Sequence, residues 1–225
     1  MGIGSLNESP LHQALKALYA TESSVQEVAI GAYVADVMHA DQVIYEIQTS
    51  GFGRLRRKLR ALLQFHKIVV VHPIVTTRYI HKLTDDADVV IRPRRSPKRG
   101  RTADLLEQLV SLPELLDHPN FEVEVVLVEI DEFRRMGRRR RGEGWGVVQR
   151  RLRTVVGRER FRTPEDLFRL LVTGLAEPFS TAELATAMDA SRGIAQKLAF
   201  CLRACGRIEP AGKRGNSILY RRCAL

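Results

Sequence analysis

No stretch of the 225-residue chain approaches the roughly 18 consecutive apolar residues of a membrane-spanning helix. The opening MGIGSLNESP lacks the basic start and apolar core of a secretory signal. Leu6 stands where a myristoylation site after Gly2 needs Ser or Thr. A cytoplasmic protein is therefore expected. Cysteine is scarce: Cys201, Cys205 and Cys223 are odd in number, and their spacing suggests no disulfide framework. Cys201 and Cys205 stand one helical turn apart without a nearby His or second Cys pair, which favours buried thiols over a zinc site. The histidines (His12, His39, His66, His72, His81 and His118) show no ligand spacing and are expected in packing or at the surface. Acid is also in short supply. The balance of 36 Lys and Arg against 26 Asp and Glu leaves a formal charge of +10, which points to a polyanionic partner, nucleic acid before a membrane surface. Arg carries most of this charge, and its planar fork suits phosphate.

What is present is centred on Tyr33 to Gln48. Two runs rich in Val, Ile and Tyr flank a polar turn at His39, Ala40 and Asp41, which predicts a β-hairpin. Alternation along a strand puts Glu46 and Gln48 on one face and Tyr45 and Ile47 on the other. Asp36 lies on the partner strand among apolar neighbours. An Asp and a Glu on adjacent strands can converge on one divalent cation such as Mg²⁺.

Around this hairpin the chain reads in order. Ser9 or Asn7 caps a helix from about Pro10 to Tyr19 with Leu11, Leu15 and Leu18 inward. Strands follow at Val25–Ile30, Tyr33–Met38 and Val43–Gln48, then a basic helix from Arg54 to Phe65. Ile68–Val71 is a continuous apolar run, as in a strand covered on both faces. Further strands are expected at Arg78–Leu83 and Val89–Arg92 around the turn Thr84-Asp85-Asp86. A basic loop, a helix over Thr102–Leu112 and a strand over Phe121–Ile130 come next. Residues 1–132 form the expected first domain. Residues 133–160 read as a basic linker, Arg134–Arg141, followed by a connecting helix over Val147–Val156.

Residues 161–225 have the clearest local grammar. Thr163-Pro164-Glu165 starts a helix, Ser180-Thr181-Ala182-Glu183 is a capping box, and Ser191 caps a third helix that stops at Gly206. A basic ribbon turning through Gly212–Gly215 completes a winged helix. Its third helix offers Arg192, Gln196, Lys197 and Arg203 to base edges, and its wing offers Lys213 and Arg214 to phosphate. In the first domain, Arg54, Arg56, Arg57 and Lys58, with Lys98, Arg99 and Arg101 of the loop, are the candidate backbone grips.

Asp36 followed by Glu46-Ile47-Gln48 resembles the D…(D/E)-x-K signature of the PD-(D/E)xK phosphodiesterase superfamily. The resemblance covers roughly Glu8 to Pro73. It implies an α/β restriction-endonuclease-like core, α-β-β-β-α-β with a mixed sheet. The chain is also similar to a bacterial group that joins such a core to a C-terminal winged helix. The resemblance implies that Asp36, Glu46, the Ile47 carbonyl and Glu8 bind Mg²⁺ (or Mn²⁺), and that Asp36, Glu46, Gln48 and Glu8 are catalytic. Gln48 departs from the usual Lys: it carries no charge, though it can orient a water or donate to a phosphoryl oxygen.

Two functions follow as expectations. One is a Mg²⁺-dependent DNA nuclease, with a homodimer among its expected partners and RNA not separated from DNA. The other is a catalytically inactive nuclease-like DNA-binding protein or transcriptional regulator, which the missing Lys favours.

Overall fold

The computed structural model describes residues 8–83, 90–139 and 142–223. Helix α1 (Pro10–Tyr19) starts at Ser9, whose hydroxyl accepts the His12 amide at 3.3 Å, with Pro10 in the first turn. Its buried row is Leu11, Leu15 and Tyr19. Leu18, expected in that row, is 41% exposed, because the four-residue step from Leu15 falls on Tyr19. Strands β1 (Val25–Ile30), β2 (Tyr33–Met38) and β3 (Ile44–Ile47) run antiparallel in succession. A 3₁₀ turn at Phe52–Leu55 leads into α2 (Arg56–Leu62).

Strand β4 (Ile68–Leu83) lies parallel to β3 through Ile44↔Ile68 to Ile47↔Val71. Its opening run is covered on both faces, as expected. Val69 and Val71 pack in the layer under α1, and Ile68 and Val70 pack with Leu55, Leu59 and Leu62. The strand does not end at Val71. One 16-residue strand absorbs the separate strand expected at Arg78–Leu83. Strand β5 (Val90–Arg95) pairs antiparallel with β4, while the expected turn Thr84-Asp85-Asp86 lies outside the described residues. Thr102–Leu105 is a 3₁₀ turn that continues into the short α3 (Leu106–Leu109).

Strands β6 (Phe121–Arg139) and β7 (Gly142–Phe161) form a long antiparallel hairpin. This corrects the expected linker and connecting helix over 133–160. Val147, Val148, Thr154, Val155 and Val156 are β-branched, which favours an extended chain over a helix. Its arginines meet acids on β6: Arg150 Nε reaches Glu132 at 2.9 Å and Arg160 Nε reaches Glu122 at 2.5 Å. The main sheet runs β1-β2-β3-β4-β6-β7, with parallel pairs at β3–β4 and β4–β6.

The last unit contains α4 (Pro164–Leu171), β8 (Phe179–Ser180), α5 (Thr181–Ala187), α6 (Arg192–Ala204), β9 (Ile208–Arg214) and β10 (Ser217–Arg222). The strands form a small sheet in the order β8-β10-β9. Thr163, Ser180 and Ser191 cap the three helices, and Gly206 takes a φ of +66° where α6 stops. Leu167, Leu184, Leu198 and Cys201 join the same apolar cluster as Leu59, Leu106 and Phe121, so the two units share one core. Cys201 is buried and free, and Cys205 and Cys223 are half-buried and free. No helix among the described residues is long and apolar enough to cross a membrane.

Candidate functional site

Strands β2 and β3 pair through only two steps, Val37↔Tyr45 and Met38↔Ile44. Beyond them β2 stays with β1 and β3 stays with β4, so the sheet forks. Asp36 sits at the fork. Its carboxylate accepts the Ile47 N–H at 2.7 Å, a donor that continued strand pairing would have used. Opposite Asp36 on β1, Glu27 takes a φ of +55°, a conformation that residues with side chains rarely adopt.

Glu46 lies on the α2 side of the fork and is 6% exposed. One carboxylate oxygen accepts from Lys58 of α2, and Lys58 Nζ also donates to the Val34 carbonyl at 2.6 Å. The second oxygen, Oε2, is buried without a hydrogen-bond partner. Burial, then the charge of Asp36, pushes the Glu46 carboxyl up to about 7, although Lys58 pulls it down. Lys58 therefore faces Glu46, which corrects its expected place among the outward backbone grips.

On the α1 side the fork meets His12. Its Nε2 lies 3.0 Å from the Ile47 carbonyl oxygen and 3.5 Å from Asp36 Oδ2, and its Nδ1 lies 3.4 Å from Glu8 Oε1. Ligand atoms of Glu8, His12 and Asp36 all lie within 4.8 Å of one another. Glu46 is not in that group. The hydrogen bond to Asp36 raises the His12 pKa, against the effect of burial. Lys16 Nζ reaches Glu8 at 2.9 Å and also bonds Glu27. The sequence reading set His12 aside as unconnected, and the structure corrects this. The available signal was Glu8, His12 and Lys16 at four-residue steps, a polar row beside the apolar row of Leu11, Leu15 and Tyr19.

The remaining expected site residues divide. Gln48 Nε2 donates to the Gly51 carbonyl at 2.8 Å and to Ser50 Oγ at 3.3 Å, so its amide is held by its own loop. Arg54 and Arg57 are exposed. Arg56 bonds the Ser111 carbonyl and lies 3.4 Å from Glu114. Lys98 and Arg99 are exposed on a loop held against β4 at Gly100, where a Cβ would come within 2.7 Å of the Val75 carbonyl oxygen. Arg101 is bound to Asp189 of the last unit. On α6, Arg192, Gln196 and Arg203 form an open stripe with Phe200. Lys197 departs from that stripe and stands 3.8 Å from Glu107 of α3. At the end of β9, Lys213 is exposed and Arg214 Nη1 bonds Glu183 at 2.8 Å.

The family described as "Domain of unknown function (DUF8091)" matches residues 9–162. An uncharacterized protein of Treponema pallidum (strain Nichols) is 34% identical over 226 residues, covering 99% of this chain and 88% of the relative. No solved structure matches.

Proposed function

The chain belongs to the DUF8091 family, and we propose that it is a divalent-metal-dependent phosphodiesterase acting on DNA, with a PD-(D/E)xK-type core and a C-terminal winged helix. The observation that carries this reading is the fork itself. Asp36 caps the parting of β2 and β3, and Glu46 is buried beside it with one oxygen unpartnered. The order helix, three antiparallel strands, helix, parallel strand agrees with that core. Three capped helices with the sheet β8-β10-β9 agree with a winged helix.

The donors suit a hard divalent cation: two carboxylates, one carrying an orphaned oxygen, and the Ile47 carbonyl. Asp36, Glu46 and Ile47 would hold Mg²⁺ or Mn²⁺, with Glu8 behind them. The ion would polarise the scissile phosphate and lower the pKa of a bound water. The chain's own residues do the rest. Lys58 holds Glu46 in place and supplies the cation that Gln48 lacks. Exposed Arg54 and Arg57 lie on the segment that carries Lys58 and would grip the flanking backbone.

The test is cleavage of supercoiled plasmid and labelled single-stranded DNA in Mg²⁺, Mn²⁺ or EDTA, beside Asp36→Ala and Glu46→Ala. Metal-dependent cutting that both variants lose supports the proposal. Equal cutting by both variants overturns it.

A second reading has its own observation. Each carboxylate already has a basic side chain against it: Glu46 with Lys58, Asp36 with His12, Glu8 with Lys16. A site neutralised in this way suits a DNA-binding protein that does not cut. Salt-dependent DNA binding without cleavage in any metal would favour it.

A further inference from the structure

The α1 side of the fork is built differently from a purely oxygen-lined site. The two nitrogens of the His12 ring face different groups. Nε2 points at the Ile47 carbonyl and at Asp36 Oδ2, two oxygens already assigned to the ion on the reading above. Nδ1 is buried and makes no hydrogen bond, and Glu8 Oε1, 3.4 Å away, is placed to take its proton. Nε2 donates to the Ile47 carbonyl, which can only accept; a carboxylate on the far nitrogen is how metal-binding histidines are oriented, because it favours the tautomer in which an ion can take the place of the Nε2 proton. Across the fork, on its α2 side, Glu46 Oε2 is also buried without a partner, on a side chain only 7% exposed.

We propose that His12 is itself a ligand through Nε2, together with Asp36 and the Ile47 carbonyl, that Glu8 orients His12 rather than binding the ion directly, and that the centre therefore prefers Mn²⁺ to Mg²⁺. This rests on the reading of the fork as a metal centre and changes its donor set. Mg²⁺ favours oxygen ligands and retained water, whereas imidazole shifts preference toward first-row transition ions, among which Mn²⁺ still accepts carboxylate and carbonyl oxygen.

The experiment uses the full chain with Mn²⁺ alone. Titration calorimetry measures Mn²⁺ and Mg²⁺ affinity, and pulsed electron paramagnetic resonance reads ¹⁴N coupling to the bound manganese. The expected result is one Mn²⁺ site, at least about tenfold tighter than Mg²⁺, with imidazole nitrogen coupling that disappears in His12→Gln. Glu8→Gln should keep the coupling and weaken Mn²⁺ binding by about tenfold. Circular dichroism melts confirm that each variant folds. Mn²⁺ binding that Asp36→Asn abolishes but that shows no nitrogen coupling in the wild type would overturn the His12 assignment and leave the phosphodiesterase reading standing. A nitrogen-coupled site in a protein that cuts no DNA would support the assignment and overturn that reading. Absence of Mn²⁺ binding would overturn the His12 assignment, and absence of Mg²⁺ binding as well would overturn both.

Discussion

Lys58 and Arg57 are neighbours in sequence and opposites in placement. Lys58 turns under the sheet to Glu46 and the Val34 carbonyl, while Arg57 stays exposed. Lys58→Met should lower single-turnover cleavage by about 10²-fold, the scale of losing one preorganised charged donor, with little change in DNA affinity. Arg57→Ala should do the reverse. Rates at saturating protein, beside binding curves, separate the two. Gln48→Ala should cost less than either, because that amide serves its own loop.

Glu46 also fixes a pH dependence. Its folded pKa of about 7 lies above its ordinary value of 4.5, so between those values the folded state holds the proton more tightly than the unfolded chain. Stability from this group is complete below about pH 4.5 and falls as pH rises toward 7. In EDTA, Glu46→Gln removes the titration. Its stability relative to wild type should therefore improve between pH 5 and pH 8, on the order of 2 kcal/mol in urea melts. An unchanged difference would remove the buried carboxyl from the account. At this scale the sequence announced Asp36 and Glu46, because acids in apolar strands are conspicuous. It hid His12, because the partners of that ring come from β2 and β3, more than 20 residues away.

At the scale of elements, legibility followed local chemistry. Thr163, Ser180 and Ser191 act as caps because a hydroxyl three residues before a free amide meets it whatever the rest of the chain does. Strand β7 was hidden because its arginines are held by acids on another strand. The centre of that pairing is Glu132, fully buried, with Arg150 Nε at 2.9 Å, Arg134 Nε at 2.9 Å and Arg78 Nε at 3.3 Å. Those arginines, led by Arg150, hold the Glu132 carboxyl below its usual range against the opposing effect of burial. Glu132→Gln should leave their charge clustered without its counter-ion. Because the arginines are partly exposed, the expected loss is about 2 kcal/mol, at the lower end for a broken buried pair. Chemical denaturation measures it, and an unchanged midpoint would show that the hairpin is held by its backbone ladder alone.

The two units share an apolar cluster and are tied across it by Arg101 with Asp189, Lys197 with Glu107 and Arg207 with Asp117. Five of the cations that composition assigned to nucleic acid, Arg56, Lys58, Arg101, Lys197 and Arg214, thus serve the fold or the site. Composition counts charge without showing what it faces. Of the expected grips, those that stay exposed among the described residues include Arg54 and Arg57 of the first unit, Lys98 and Arg99 of the loop, Arg192 and Arg203 on α6, and Lys213 of β9. If both units meet one duplex, the slope of log affinity against log salt should drop by about 0.9 for each phosphate contact removed. Arg57→Ala and Arg192→Ala should each lower it, and the double variant should lower it by the sum. Fluorescence anisotropy over a salt series reads this. A slope untouched by Arg192→Ala would take α6 off the DNA.

The central claim is that the fork of β2 and β3 breaks phosphodiester bonds. Single-turnover cleavage of a labelled duplex in Mn²⁺, with wild type, Asp36→Asn and Glu46→Gln at protein concentrations that saturate binding, tests it most directly. The account predicts metal-dependent cutting by the wild type and a loss of at least about 10³-fold in both variants, with the duplex still bound. Cutting by both variants at the wild-type rate, or no cutting by a wild type that binds the duplex and Mn²⁺, would contradict it.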